Sequence, residues 1–99
     1  IKSIMETVRS GNPNCEFVLI STMMPNAEVG KFLGKQEEYL PALMSLETEG
    51  VVVADMTTYH KSLLEHKRYY DMSGNNVNHP NDFLARAYAH VLWQTMIGY

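Results

Sequence analysis

"VVVADM", Val51–Met56, opens on three β-branched residues and reaches an aspartate only at its fifth position. A short, continuous apolar run of this kind suits a strand buried on both faces. Gly50 stands directly before it and ends the helical segment upstream. A second run of the same type lies in "CEFVLISTM", Cys15–Met23, with its apolar centre at Phe17–Ile20.

Helical patterns fill the rest. Ile1, Ile4, Met5 and Val8 recur at the spacing of one helix face, and Gly11 with Pro13 stops that helix. No capping residue precedes Ile1, so the helix is expected to continue from polypeptide before it. Pro25–Gly34 reads as a loop. Gln36–Glu49 is predicted helical, with Tyr39, Leu40, Leu43, Met44 and Leu46 on its apolar side; Pro41 belongs to its first turn or kinks it. A shorter helix is expected over Thr58–Tyr69, then the turn formers of "DMSGNNVNHP". The last helix starts at Pro80 or Asn81 and runs to Met96, with Phe83, Leu84, Ala87, Tyr88, Val91 and Leu92 as its stripe.

Strands alternating with helices predict an α/β fold with a parallel sheet covered on both faces. Two strands are too few to hide the edges of such a sheet. Residues 1–99 are therefore expected to form the C-terminal part of one larger doubly wound domain.

Composition narrows the function classes. The chain has 99 residues, a net charge of −3 and no basic cluster beyond "HKR" at His66–Arg68, so a nucleic-acid partner is not expected. The apolar runs are too short to span a membrane. Cys15 is the single cysteine, which excludes an internal disulfide and an all-cysteine metal site; beside "FVLI" it reads as a buried thiol. The seven methionines read as core filler. His60 and His66 are six apart on a predicted helix, hence on different faces, and do not suggest a shared metal. Neither metal nor cofactor is expected, and with no signal peptide visible the sequence specifies no compartment.

The tail "GNNVNHPNDFLARAYAHVL", Gly74–Leu92, resembles the final motif block of the GDSL/SGNH hydrolases. In that family a D-x-x-H sequence ahead of the last helix supplies the catalytic acid and histidine. The matching residues are Asn76 and His79. Upstream, "IKSIMETVRSGNPNCEFVLISTMMPN" is similar to the helix and strand that follow the family's G-x-N-D block, and "VVVADMTTY" to its fifth strand. The resemblance implies a flavodoxin-like three-layer α/β/α fold, of which two strands are visible here. It implies a serine ester hydrolase acting on acyl or acetyl esters, including those of carbohydrates, with His79 as general base.

The blocks carrying the nucleophilic serine and the oxyanion-hole groups are absent. The remainder of the same polypeptide would supply them, and the 99 residues alone should be inactive. Ser3, Ser10, Ser21, Ser45, Ser62 and Ser73 all lack the context of an activated nucleophile.

The residues around His79 support such a role locally. Pro80 keeps the residue before it out of helical geometry and is itself favoured at a helix start, so His79 is expected on extended backbone at a helix entrance. Asn76 departs from the family pattern, because an amide accepts a hydrogen bond but brings no charge. In serine proteases the equivalent change costs about 10⁴ in turnover. Either the base works with a neutral acceptor, or another carboxylate serves: Asp55, near a strand's C-terminal end where α/β sites gather, or Asp71. Thr22, Met23 and Met24 follow the other strand and are candidates to line a substrate cleft. Asn75, Asn76 and Asn78 also read simply as turn formers. A competing reading is a non-catalytic α/β module that self-associates, as a homodimer, through its open sheet edges.

Overall fold

The computed structural model describes residues 1–29 and 34–98. Residues 30–33 of the expected loop lie outside them. In chain order the elements are α1 (Lys2–Gly11), β1 (Phe17–Ile20), α2 (Gln36–Met44), β2 (Val51–Ala54), α3 (Met56–Leu64), a 3-10 turn (Tyr69–Met72) and α4 (Asp82–Ile97).

β1 and β2 pair in parallel, in register from Phe17 opposite Val51 to Ile20 opposite Ala54. The α/β class and the parallel pairing agree with the sequence. Burial does not divide evenly. In β2, Val51, Val53 and Ala54 are buried, whereas β1 is only half-buried and Ile20 is 47% exposed. Cys15, beside it, is half-buried.

The helices differ from expectation at their ends, for local reasons. α3 begins at Met56, because the Asp55 carboxylate accepts from the Thr58 N–H at 2.9 Å and caps it. It stops at Leu64, since the charged tail beyond has no apolar residue to hold it down. α4 begins one residue after its cap, Asn81, whose Oδ1 accepts from Leu84 N–H at 3.1 Å. Pro80 therefore lies outside the helix. α2 ends at Met44 rather than Glu49: tight turns follow, and Gly50, at φ +79°, reverses the chain into β2. Pro41 falls inside α2.

Met23, Met56, Met72, Leu84 and Ala87 form the core, with Tyr59, Leu63, Leu64, Tyr69, Tyr88 and Val91 packed around it. Three of the five buried members are methionines, whose flexible chains fill an irregular space. This core joins α3, α4, the 3-10 turn and the segment after β1, at the carboxyl end of the sheet.

α1 buries no residue. Arg9 reaches back from it, donating to the Cys15 carbonyl at 3.2 Å and placing its guanidinium 5.0 Å from the Phe17 ring centre. The predicted stripe of α1 faces outward: Ile1, Ile4 and Val8 are all exposed, as are Trp93, Met96 and Ile97 near the end of α4. The accessible surface is 6775 Å², roughly 1,000 Å² more than a compact chain of this mass presents. The radius of gyration, 14.9 Å, likewise exceeds the value of about 13 Å for a compact domain of this length.

Candidate functional site

Asp71–Asn81 closes on itself. Gly74 N–H and the Ser73 hydroxyl both donate to the His79 carbonyl at 2.9 Å, Asn81 N–H donates to the Met72 carbonyl at 3.0 Å, and Ser73 bridges Pro80. A Cβ at Gly74 would lie 3.0 Å from the Pro80 carbonyl oxygen, so a larger residue would push the neck of this loop apart by a few tenths of an ångström.

The four asparagines divide the work. Asn75 Oδ1 accepts from three backbone N–H groups in succession, those of Val77, Asn78 and His79, at 2.9, 2.9 and 3.0 Å. Asn76 takes left-handed backbone at φ 56°, the only described non-glycine residue to do so, a conformation asparagine tolerates better than most. Asn78 turns its side chain toward the histidine. Asn81 caps α4 with its oxygen and donates through Nδ2 to the Asp71 carbonyl at 2.7 Å.

The loop is moored to the segment following β1. Asn26, buried, donates its N–H to the Val77 carbonyl and its Nδ2 to the Asn76 carbonyl, both at 2.8 Å. The Tyr69 hydroxyl lies 2.8 Å from the Met24 carbonyl and 3.1 Å from that of Val77. His79 thus belongs to a loop fixed at the carboxyl end of the two strands.

The His79 ring is exposed. Its Nδ1 lies 2.6 Å from Asn78 Oδ1 and 2.8 Å from Asn75 Nδ2, and Asn75 Nδ2 donates to Asn78 Oδ1 at 3.0 Å. The two carboxamide contacts make opposite demands on Nδ1. An unprotonated Nδ1 would set its lone pair against an amide oxygen at 2.6 Å, whereas a protonated Nδ1 makes a short hydrogen bond there. A protonated Nδ1 in turn sets its N–H against the Asn75 Nδ2 donor at 2.8 Å, and Nε2 has no hydrogen bond from the described residues.

The remaining predicted residues do other things. Asn76 does not hydrogen-bond His79: its carbonyl, and at 3.3 Å its Oδ1, face Asn26 Nδ2. The carboxamides beside the His79 ring are those of Asn75 and Asn78. Asp55 is engaged as the α3 cap and with the Ser21 hydroxyl at 3.4 Å, and Asp71 pairs with Arg68. Met23 does not line a cleft, because its side chain is 5% exposed and sits in the core. Thr22 and Met24 are half-buried; Thr22 Oγ1 donates to the Met23 carbonyl at 3.1 Å.

His60 has a place that the sequence reading did not assign. It is fully buried, its Nδ1 accepts from Met24 N–H at 2.9 Å, and its Nε2 has no partner. Burial lowers its pKa to about 4. The available signal was positional: Met56, His60, Leu63 and Leu64 share one helix face, so a histidine stood at a core position. Tyr69, which touches it, is pushed up to about 12 by burial and by nearby Tyr88. Burial also raises Tyr88, against the lowering effect of the 2.7 Å bond it accepts from Met23 N–H.

A groove of about 640 Å³, lined by Glu16, Val18, Glu49, Val51 and Met96 among others, opens at the amino ends of the strands, away from His79. Among the described residues no three His, Cys, Asp or Glu side chains gather as metal ligands, and no helix is long and apolar enough to cross a membrane. Compared with family models, with curated proteins and with solved structures, the chain finds no match.

Two predictions follow from this geometry. Asn75→Ala removes one acceptor from three amides and should lower stability by about 1–2 kcal/mol in urea denaturation; Asn75→Asp, which keeps an accepting oxygen, should lose less. An equal loss in both variants would contradict the role given to Oδ1. The second concerns acid. The folded pKa of His60, about 4, lies below its ordinary 6.5, so between these values the unfolded chain takes up the proton more readily. Stability should be complete above pH 6.5 and fall as the pH descends toward 4, by at most about 3 kcal/mol. His60→Asn, which keeps an acceptor for Met24 N–H without titrating, should flatten this slope; an unchanged slope would contradict the assignment.

Proposed function

We propose that the chain is the histidine-bearing C-terminal part of a serine ester hydrolase of the SGNH type, with a flavodoxin-like α/β/α domain completed by other parts of the polypeptide. The observation that carries the reading is the placing of His79: an exposed imidazole whose Nδ1 lies 2.6 Å from a carboxamide oxygen and whose Nε2 has no hydrogen bond among the described residues, on a loop moored at the carboxyl end of parallel strands. A general base in ester hydrolysis needs a neutral ring, one nitrogen held by a fixed acceptor and the other open to the hydroxyl.

In this mechanism Nε2 takes the proton from a serine hydroxyl as that oxygen attacks the ester carbonyl, and returns it to the leaving alkoxide. Asn78 Oδ1 holds the ring throughout. It adds a dipole where a triad has a charge, so the imidazolium formed in the transition state is stabilised less than beside a carboxylate. The substrate class is an acyl or acetyl ester, with carbohydrate esters favoured by family resemblance. The outward-facing apolar stripe of α1 and the unpaired strand edges suit a domain completed by further strands and helices.

The roughly 1,000 Å² of surplus surface also favours a second reading, self-association, since a standard interface takes about 800 Å² from each partner. Here two copies would pair through the open sheet edges, with no catalytic role.

In the intact gene product, His79→Ala should reduce hydrolysis of p-nitrophenyl acetate on the order of 10³-fold; undiminished activity in the variant, or none in the wild type, would refute the hydrolase. Sedimentation equilibrium of the 99-residue chain at micromolar concentration should give a dimer if the second reading holds. A monomer excludes it.

A further inference from the structure

Met24 is gripped on both sides of its backbone. Its N–H donates to His60 Nδ1 at 2.9 Å, and its carbonyl accepts from the Tyr69 hydroxyl at 2.8 Å. The two gripping rings touch, tilted 50° with centroids 5.7 Å apart, so Tyr69 is backed by a fully buried side chain. The same hydroxyl reaches the Val77 carbonyl at 3.1 Å, and one O–H thus serves a carbonyl in each of two separate loops. Val77 O accepts from Asn26 N–H as well. Two donors therefore converge on one carbonyl, two residues before His79.

We infer that Tyr69 is a positioning residue for His79: acting through the Val77 carbonyl, its hydroxyl sets where the histidine loop rests on the carboxyl end of the sheet. The catalytic consequence rests on the hydrolase reading, but the geometry does not. A phenol suits the task. Its O–H stands at the end of a rigid ring rooted in the 3-10 turn, so it spans to both loops at little conformational cost. Burial raises the pKa of the group to about 12, so it is protonated, and a donor, at neutral pH.

Tyr69→Phe deletes the hydroxyl and leaves the ring. In amide exchange on the 99-residue chain, protection of the Asn26 N–H should fall about tenfold, while Ser21 N–H, bonded to Ala54 in line with the sheet, stays unchanged. No change at Asn26, or an equal loss at both amides, would overturn the inference, the latter because the hydroxyl would then be a general strut. Should this variant not fold, the Tyr69 hydroxyl proton of the wild-type chain is read by NMR: a slowly exchanging resonance close to Val77 supports the inference, and one that exchanges freely with water overturns it. In the polypeptide that carries the serine, Tyr69→Phe should lower kcat about tenfold with KM unchanged. A loosened loop with full kcat would overturn the positioning role. The exchange arm stands whichever way the His79→Ala assay falls, so failure of the clamp and failure of the hydrolase reading are told apart.

Discussion

Where a strand ladder ends inside a protein, the backbone that leaves it must find new hydrogen-bond partners, since a buried and unpaired peptide group is expensive. The stretch after β1 meets this constraint in an unusual setting. Ser21, Met23, Pro25 and Asn26 are all buried, yet the stretch has no regular structure. Its backbone is satisfied largely by side chains from four later parts of the chain. Thr57 bonds the Thr22 carbonyl, Tyr88 receives Met23 N–H, His60 and Tyr69 hold Met24, and the histidine loop takes Asn26. α3, the 3-10 turn, the Asp71–Asn81 loop and α4 are thereby drawn to one place. The methionine core forms beneath that convergence.

This arrangement explains why polar side chains gather at the carboxyl end of so small a sheet. Buried tyrosines and a histidine keep an irregular segment ordered, and that segment in turn orders an exposed loop. The loop is braced from within as well. A single carboxamide oxygen collects three N–H groups within the loop, beside the bonds that tie it to Asn26. Asn75 acts on the loop from inside, and Tyr69 with Asn26 from outside.

The parts of this fold that were legible in the sequence are those written as runs. "FVLI" and "VVVA" announce strands because unbroken apolarity has few other uses, and the α4 stripe of Leu84, Ala87, Tyr88 and Val91 follows from its period. Helix ends were less legible. Asp55 and Asn81 both act as caps, yet Asp55 drew attention as a carboxylate and Pro80 as a helix starter, because side-chain identity does not reveal which of two compatible jobs geometry selects. Four asparagines within seven residues are equivalent on paper. Only closure of the loop makes Asn75 the acceptor, Asn76 the left-handed corner and Asn78 the neighbour of the imidazole. His79 drew attention by its motif; the buried His60 was hidden by its polar neighbours Thr57 and Lys61.

The grip of Arg9 on the strand has a mechanical meaning. α1 has no fully buried residue, and among the described residues Arg9 fastens it by one bond to a carbonyl and one cation on an aromatic face. Contacts of these kinds are worth on the order of 1 kcal/mol each. Local opening of α1 therefore lies at the low end of the energies available to the fold, far below the cost of disturbing the tyrosine-braced end. The load on the fold is thus carried unevenly: the tyrosine-braced end is tied by many bonds, and the oily face of α1 rests on few.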